Sequence, residues 1–344
     1  AGVLAAGNRA MVKPSETTPE TSELLKRMVA KAFDAEEIAV VTGGPDVGQA
    51  FAGLAFDHLV FTGATAIGRH VMRAAAENLV PLTLELGGKS PVVIGRSADL
   101  GVAAARIMNG KTFNAGQICL APDYVLAPAD RVGAFVEAAR LAVMRMFPTL
   151  RDNPDYTAIV SDRHHARLAG HVEDARAKGA EIVVINPASE DLVQQPHRRM
   201  PPTLILDPTD DMTVMQEEVF GPLLPVKRYQ SLDDAIAYIN AHPRPLGLYY
   251  FGTDGAERDH VLGRTISGGV TVNDVVMQVA QEDLPFGGIG PAGMGAYHGR
   301  DGFLEFSHRK SVYHQIGREI GPLRMLRPPF GPWFMKFLAT RIKR

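Results

Sequence analysis

The chain has 344 residues, of which 46% are hydrophobic and 22% are charged, and its formal net charge at pH 7 is -2. The length predicts about two domains of an ordinary globular protein, and the nearly balanced charge argues against a nucleic-acid partner. A single cysteine excludes an internal disulfide framework and favours a reducing compartment such as the cytoplasm, and the absence of any run of about 18 apolar residues argues against a membrane-spanning helix.

The first quarter of the chain alternates short apolar runs with a segment of helical periodicity. Strands are predicted in "RAMVKP", "EIAVVTG", "DHLVFTG" and "VPLTLELGG", each closed by proline or glycine. Between the last two, "AIGRHVMRAAAENL" repeats apolar residues at helical spacing. Strands separated by helices predict a parallel sheet with helices on both faces, which is an α/β fold.

The rest of the chain has the pattern of a second α/β domain. Helices are predicted over residues 100–114 and in "RVGAFVEAARLAVMRMF", "RHHARLAGHVEDARAKG" and "LDDAIAYINA". Strands are predicted in "DYVLAP", "EIVVI", "TLILD", "LLPVKRY", "LGLYYF" and "GGVTVN". A glycine-rich loop, "PFGGIGPAGMGAYHGRDG", and a tail rich in proline and arginine follow.

The only cysteine, Cys119, follows the helix predicted over residues 100–114, in "FNAGQICLAP". Such a residue is either a small buried apolar side chain or a nucleophile. A nucleophilic thiol needs help to ionise or a positioned base, and no histidine lies near Cys119 in the sequence. The residue taken alone leaves both interpretations open.

Glu85 ends a predicted strand in "LELGGKSP", where sheets of this class carry functional groups. A carboxylate among Leu84, Leu86 and Gly87 is expected to be partly desolvated, which raises its pKa and suits it to act as a base near neutral pH. The alternative is that Glu85 caps the following helix.

Two glycine-rich stretches differ in what they predict. "FTGATAIG", which ends at Gly68, follows a strand and opens a helix, where free N–H groups suit a phosphate, although an ordinary tight turn is the alternative. The later G-x-G-x-x-G, "GIGPAG", follows Pro285 and not a strand, so we do not interpret it as a dinucleotide fingerprint. His164 and His165 lie on a polar predicted helix and no zinc motif is present, so no metal site is predicted.

Six stretches together resemble the aldehyde dehydrogenase superfamily in their order and rough spacing: "MVKPSE", "FTGATAIGR", "LELGGKSP", "FNAGQICLAP", "EEVFGP" and "LPFGGIGPAGMG". The resemblance covers essentially the whole chain. "VNDVVMQ" and "GAYHGRDGFLEFSHRKSV" are similar to its class 3-like branch, and within it to bacterial enzymes that act on coniferaldehyde. It implies an incomplete Rossmann-like nucleotide-binding domain over residues 1–86, an α/β catalytic domain over 87–275 and a C-terminal bridging segment over 276–344 that returns to the nucleotide-binding and oligomerisation region.

The resemblance implies the NAD(P)-dependent oxidation of an aldehyde, aromatic like coniferaldehyde or medium-chain and apolar, to a carboxylic acid. Cys119 matches the family's nucleophile, which forms a thiohemiacetal and then a thioester, and its backbone N–H is implied to hold the oxyanion. Glu85 matches the base that activates water for thioester hydrolysis. Phe286 matches a position near the substrate funnel.

The resemblance also implies a set of cofactor contacts. Glu16, in "KPSE", matches a residue at the adenosine ribose, where a carboxylate repels a 2′-phosphate and so favours NAD over NADP. The position after Gly63 is often serine in the family and is Ala64 here, which implies one phosphate hydrogen bond fewer. The implied cofactor residues are Lys13, Glu16, Gly63, Leu86, Gly87, Glu218 and Phe220.

The family pattern places an asparagine, which donates the second oxyanion hydrogen bond, upstream of the opening stretch "AGVLAAGNRAMVKPSE". We therefore expect the chain to be an N-terminally truncated fragment with little or no activity of its own. The alternatives from other classes are a non-catalytic binding or structural protein on this fold and a thiol esterase without a cofactor. A cytoplasmic homodimer is also implied.

The tail, "GPLRMLRPPFGPWFMKFLATRIKR", combines aromatic and basic side chains. It fits either a short interfacial helix on anionic lipid or, as we favour, a segment that covers the protein's own surface or a neighbouring subunit. The residues concerned are Trp333, Phe334, Phe337, Leu338, Arg341, Lys343 and Arg344.

Overall fold

Strands and helices alternate along most of the chain in the computed structural model, which describes residues 1–193, 195, 197–315, 317–318, 324 and 326–342. The strands are β1 (Ala10–Val12), β2 (Ile38–Val40), β3 (Leu59–Gly63), β4 (Leu82–Leu86), β5 (Pro91–Ile94), β6 (Tyr124–Pro128), β7 (Glu181–Val184), β8 (Thr203–Leu206), β9 (Leu223–Tyr229), β10 (Gly247–Phe251), β11 (Gly269–Val272) and β12 (Gly293–Met294). The helices are α1 (Gly2–Ala5), α2 (Pro19–Ala32), α3 (Pro45–Ala52), α4 (Thr65–Ala76), α5 (Leu100–Thr112), α6 (Val132–Met146), α7 (Asp162–Ala177), α8 (Thr213–Gln216), α9 (Leu232–Asn240), α10 (Gly255–Arg264), α11 (Gly299–Glu305) and α12 (Pro332–Ile342).

A seven-stranded sheet contains every strand predicted for the second α/β domain, in the order β11-β10-β5-β6-β9-β8-β7. Its neighbours are parallel except for the antiparallel pair β7 and β8. Val93 and Leu126 pack into a hydrophobic cluster on one face, and Val92 and Val125 pack into a second cluster on the other. The sheet is therefore buried on both faces, as expected for parallel strands that are connected by helices.

The four strands predicted in the first quarter of the chain exist, but they do not form the one sheet that the pattern suggested. β1 pairs in parallel with β2, and β3 pairs in parallel with β4 in a separate three-stranded sheet whose third member is the antiparallel β12. An apolar run predicts which face of a strand is buried and says nothing about which strand lies beside it. The glycine-rich loop thus returns to β4, and its "GIGPAG" stretch is not a strand–turn–helix unit.

Helix α5 ends at Thr112, two residues before the predicted end. The chain continues as a short 3-10 helix, Phe113–Gly116, in which Asn114 has φ 49° and Ala115 has φ 53°. A left-handed backbone cannot continue a right-handed helix, so the chain turns away from the axis of α5 before it reaches Cys119.

By its internal contacts the chain divides into Ala1–Ser307, which holds all the described strands, and His308–Arg344. The second unit contains α12, which buries none of its described side chains and places Lys336 over the ring of Trp333 and Arg341 over that of Phe337. Of the tail residues considered above, Lys343 and Arg344 lie outside the described residues. Within the described part of the chain, none of the helices combines the length and the hydropathy needed to cross a membrane.

Candidate active site

The cysteine loop, residues 113–119, has a backbone that only certain residues allow. Gly116 adopts a φ of 74°, and a Cβ at this position would clash with the carbonyl oxygen of Gly221 and lie 2.8 Å from that of Lys111. Glycine is required here both for the left-handed conformation and for the close approach of the two segments.

The side chain of Gln117 ties the cysteine loop to its surroundings. Its Oε1 accepts a hydrogen bond from the backbone N–H of Val160 at 2.9 Å. Its Nε2 donates to the carbonyl oxygens of Asn114 at 2.9 Å and Ala158 at 3.1 Å. These bonds fix the backbone two residues before Cys119, so the position of the thiol follows from the loop.

Cys119 lies half-buried against an apolar cluster that contains Leu120 and Phe286. Burial, helped by the negative charges of Glu218 and Glu85, raises the pKa of the Cys119 thiol to about 11. The backbone N–H groups of Cys119 and Leu120 act in the opposite direction on this pKa. The thiol is therefore neutral at neutral pH in the ligand-free protein, and forming the thiolate requires a base.

Glu85 projects from the centre of the three-stranded sheet, where it pairs with Thr62 of β3 and Gly293 of β12. The residue is only 4% exposed, and within the described residues neither carboxylate oxygen has a hydrogen-bond partner. Burial raises the pKa of Glu85 to about 8. Within the described residues the carboxylate does not cap a helix, so the helix-capping alternative is wrong, and a carboxyl group with this pKa can exchange a proton near neutral pH.

Glu218 lies in the loop over residues 217–222, and its carboxylate contacts the backbone just after β4. A Cβ at Gly87 would clash with the Glu218 carboxylate, which also accepts a hydrogen bond from the N–H of Gly88. Burial and the neighbouring Asp123 raise the pKa of Glu218 to about 7, against the effect of the Gly88 N–H and of two lysines. The structure thus brings Gly87 and Glu218 together, 131 residues apart in the sequence, and places both near Cys119 and Glu85.

The loop over residues 217–222 is anchored by a partly buried ion pair. Lys89 pairs with Asp123 and donates to the carbonyl oxygens of Val214 at 2.8 Å and Glu217 at 2.9 Å. The second oxygen of Asp123 accepts from the N–H of Val219 at 2.8 Å. These bonds orient the segment that carries Glu218.

Helix α7 holds the opposite side of the same loop. Arg167 donates to the carbonyl oxygens of Glu218 at 3.1 Å and Val219 at 2.6 Å. His171 lies 2.9 Å from Arg167 and 2.8 Å from the hydroxyl of Thr213. Because Arg167 can only donate, the His171 nitrogen that faces it accepts and the ring is neutral.

The remaining predicted cofactor residues fall into two groups. Leu86, opposite Gly63 in the sheet, packs on α4 so closely that a Cβ at Gly68 would lie 2.7 Å from its side chain. Lys13 and Glu16 form an ion pair of 2.7 Å, and that hydrogen bond to Lys13 lowers the pKa of Glu16. The structure therefore places Leu86 beside Gly87 and Glu218, and it places Lys13 and Glu16 together as a separate pair.

Two aromatic residues complete the predicted set. Phe220 is half-buried with a φ of 44°, a left-handed conformation that strains a bulky residue and is often found at functional sites. Phe286 is buried, meets the ring of Tyr297 edge to face at 5.7 Å and stacks with His298 at 5.4 Å. Phe286 and Tyr297 share the apolar cluster that borders Cys119.

Several residues that shape the site were not predicted from the sequence. Asp123 and Lys89 each flank a buried strand, and polar residues at such positions are a weak signal. Lys111 carries a clearer one, because it lies four residues after Ile107 and so falls on the apolar face of α5. The described residues contain no group of three or more His, Cys, Asp or Glu side chains arranged to hold a metal ion.

Comparison with known proteins adds independent information. The model of the "Aldehyde dehydrogenase family" matches residues 1–312. The "Probable coniferyl aldehyde dehydrogenase" of Caulobacter vibrioides is 70% identical over 344 residues, which span all of this chain and 71% of that protein.

Two solved structures share the fold. The substrate-bound state of Staphylococcus aureus AldH has a TM-score of 0.89 and 40% identity, covering 98% of this chain and 72% of that one. The Mycobacterium tuberculosis aldehyde dehydrogenase complexed with NAD+ has a TM-score of 0.82 and 31% identity, covering 93% of this chain and 66% of that one.

Proposed function

This chain belongs to the aldehyde dehydrogenase family, and on that premise we propose that it oxidises an aromatic or medium-chain apolar aldehyde, with coniferaldehyde as the favoured substrate, to the carboxylic acid through a thioester on Cys119. The observation that carries the proposal is the meeting of three groups from distant parts of the sequence. The charges of Glu85 and Glu218 both act on the half-buried thiol of Cys119. This proximity supports the proposed roles of Cys119 as nucleophile, Glu85 as base and Glu218 as ribose-binding carboxylate.

The described residues fit a nicotinamide cofactor. The absence of a side chain at Gly87 lets the Glu218 carboxylate approach the backbone at the end of β4, where it would accept hydrogen bonds from a ribose, and the Glu16 carboxylate favours NAD over NADP. Lys13, Gly63, Leu86 and Phe220 would complete the binding site. When bound, NAD accepts the hydride from the carbon that is attached to Cys119.

The first half of the reaction joins Cys119 to the aldehyde carbon. As the Cys119 thiol attacks this carbon, its proton passes to a water molecule and leaves with the solvent. Because the pKa of the thiol is about 11, loss of this proton is coupled to attack and does not precede it. The backbone N–H groups of Cys119 and Leu120 support the negative charge that develops.

The second half of the reaction releases the product. Once the thioester has formed, ionised Glu85 takes a proton from a water molecule, and the resulting hydroxide attacks the thioester carbon. The carbon–sulfur bond breaks, the carboxylic acid leaves and Cys119 is regenerated. A buried carboxylate without hydrogen-bond partners in the described residues suits this role because its lone pairs are free to accept a proton.

The wall around Cys119 supports an apolar substrate. Leu120, Leu246, Phe286 and Ala292 form a buried cluster there, and Tyr297 packs against it. An aromatic aldehyde would bury its ring on this surface and gain the free energy of removing apolar area from water. The cytoplasmic location, the homodimer and the domain boundaries stay predictions.

The proposal is tested with the full-length protein and NAD by following NADH absorbance. Coniferaldehyde and medium-chain aliphatic aldehydes are expected to give a higher kcat/KM than small polar aldehydes such as glycolaldehyde. A profile that peaks on the small polar aldehydes would refute the substrate assignment. Hydrolysis of an activated ester without any NADH formation from aldehydes would refute the dehydrogenase assignment.

A further inference from the structure

Thr83 is a fully buried polar residue on β4, two positions before Glu85. Leu86 packs on α4, so the alternation of side chains along the strand turns Thr83 and Glu85 to the opposite face of the sheet. The Thr83 hydroxyl donates a hydrogen bond to Oε1 of Glu305 at 2.7 Å, and it also lies 2.7 Å from Nε2 of His58. The reaction proposed above gives Thr83, Glu305 and His58 no role.

The hydrogen bonds of the Thr83 hydroxyl have a defined direction. Because its proton is donated to Glu305, the hydroxyl oxygen accepts from the Nε2–H of His58. Burial lowers the pKa of His58, against the effect of Glu305, so the ring is neutral at neutral pH and carries its proton on Nε2. A hydroxyl can donate and accept at once, so Thr83→Val would break both bonds and Thr83→Ser would keep them.

The bond to Thr83 clamps the end of α11 onto β4, because Glu305 is the last residue of that helix. Gly295, in the segment between β12 and α11, has a φ of 80°. A Cβ at Gly295 would clash with Oε1 of Glu305 and lie 3.0 Å from the methyl group of Thr83. Glycine at this position therefore lets the Glu305 carboxylate reach the strand.

Phe306, the residue after α11, is held as well. Its carbonyl oxygen accepts a hydrogen bond from Nδ2 of Asn8 at 2.8 Å. Its ring meets the ring of His58 edge to face, with the two centroids 5.1 Å apart. The C-terminal end of α11 is thus fixed by contacts with Asn8, His58 and Thr83, which lie in three separate segments of the chain.

Helix α11 in turn contacts the apolar wall beside Cys119. Gly302 of α11 is buried, and a Cβ at this position would lie 3.4 Å from the Cβ of Tyr297. Tyr297 and Phe286 exchange two backbone hydrogen bonds, of 2.7 and 2.8 Å, and both side chains belong to the cluster that borders Cys119. A displacement of α11 would therefore move Tyr297 and, through these bonds, Phe286.

We propose that Thr83 and Glu305 are positioning residues for the aldehyde site: their hydrogen bond holds α11 on β4 and so keeps the wall formed by Tyr297 and Phe286 in place beside Cys119. The proposal rests on the substrate proposed above. Thr83 and Glu305 touch neither the substrate nor the reacting atoms, and their effect depends on the size of the aldehyde. Coniferaldehyde packs its ring on the wall, whereas acetaldehyde has only a methyl group to place there.

The test is steady-state kinetics of the full-length protein with coniferaldehyde and with acetaldehyde, followed by NADH absorbance. Thr83→Val and Glu305→Ala are each expected to raise KM for coniferaldehyde about fivefold or more, which is the scale of losing a buried hydrogen bond. Both variants are expected to change kcat for coniferaldehyde and kcat/KM for acetaldehyde by less than about twofold. Thr83→Ser is expected to behave like the wild type.

Thr203→Val is the matched control. Thr203 is also a buried threonine, but it lies on β8 and its hydroxyl donates to the carbonyl oxygen of Pro201 at 3.0 Å. This variant is expected to leave the ratio of the two kcat/KM values unchanged. An equal fall in kcat/KM for both aldehydes in Thr83→Val would mean that the residue only supports folding, and would overturn the proposal. A Thr83→Ser variant that behaves like Thr83→Val would also overturn it.

A second pair of variants decides the matter if Thr83→Val does not fold. Glu305→Gln keeps an oxygen that can accept from Thr83, so it should retain the wild-type KM for coniferaldehyde, whereas Glu305→Ala should not. Equal KM values in these two variants would overturn the proposal.

The substrate assignment and the positioning role fail in different ways. If the wild type does not prefer coniferaldehyde to acetaldehyde, the substrate assignment is wrong and the proposal for Thr83 and Glu305 falls with it. If the wild type has this preference and Thr83→Val and Glu305→Ala keep it in full, the substrate assignment stands and the positioning role is refuted.

Discussion

The two larger sheets of the protein contribute to the candidate site in different ways. The seven-stranded sheet is packed on both faces by extensive apolar clusters, and the cysteine loop is tied down by the hydrogen bonds of Gln117. The three-stranded sheet has a small core around Leu59, Val71 and Ala75, and it holds Glu85 without a hydrogen bond from the described residues. The cysteine loop beside the seven-stranded sheet thus fixes the position of Cys119. The three-stranded sheet sets the pKa of Glu85.

This difference has a physical basis. Hydrogen bonds to a loop fix its geometry and have little effect on a side chain two residues away. A carboxylate that lacks hydrogen bonds keeps its basicity, because each bond to the charged form would lower its pKa. The geometry of the cysteine loop and the pKa of Glu85 can therefore be changed separately by substitution.

Removing the nucleophile is expected to give the largest loss. Cys119→Ser in the full-length protein should lower kcat by roughly 10⁴-fold or more, because a neutral hydroxyl is a far poorer nucleophile than a thiolate. NAD affinity should stay nearly intact, and both quantities are measured by NADH formation and calorimetry. Substantial turnover in this variant would remove Cys119 from the mechanism.

Glu85→Gln is expected to slow deacylation by about 10²–10⁴-fold, the usual contribution of a general base. Stopped-flow absorbance should show a burst of NADH followed by slow turnover. In the wild type, deacylation needs ionised Glu85, so its rate should rise with pH and level off above the pKa of Glu85, about 8. An unchanged steady-state rate in the variant would assign the base to another residue.

The same substitution should stabilise the protein at high pH. Because the folded state raises the pKa of Glu85 to about 8, folding favours the protonated carboxyl, and stability is lost as the pH rises from the unfolded-state pKa toward 8. Glutamine does not ionise, so Glu85→Gln should gain a few kcal/mol at pH 9 and almost nothing at pH 5. Urea unfolding at the two pH values measures this gain, and equal stabilisation at both would contradict the linkage.

Gly116→Ala tests the geometry of the cysteine loop. The left-handed backbone and the clash with the carbonyl of Gly221 should cost about 3 kcal/mol in the free energy of unfolding, and activity should fall because the cysteine loop moves. The matched control is Arg96→Ala, which breaks an exposed ion pair with Asp130 and should cost less than about 1 kcal/mol. A Gly116 variant as stable and active as this control would show that the loop geometry is not constrained as described.

The sequence predicted the positions of individual strands and helices better than it predicted which strands pair with each other. Apolar periodicity located the strands of the seven-stranded sheet and helices such as α7 and α9, because each buries one face. It could not separate β1–β2 from β3–β4, since strand pairing is decided by contacts between distant segments. Similarly, the resemblance supplied Cys119, Glu85 and Glu218, whereas the ion pair of Lys89 and Asp123 that holds the loop over residues 217–222 appears only in the folded chain.

The central claim is that Cys119 carries the thioester intermediate and that Glu85 activates the water molecule that hydrolyses it. The most direct test is to mix full-length Glu85→Gln with coniferaldehyde and NAD, quench in acid and digest for mass spectrometry. We predict one equivalent of NADH per site and an acyl mass on the peptide that contains Cys119. The absence of that acyl mass after a full equivalent of NADH has formed, or its location on another residue, would contradict the account.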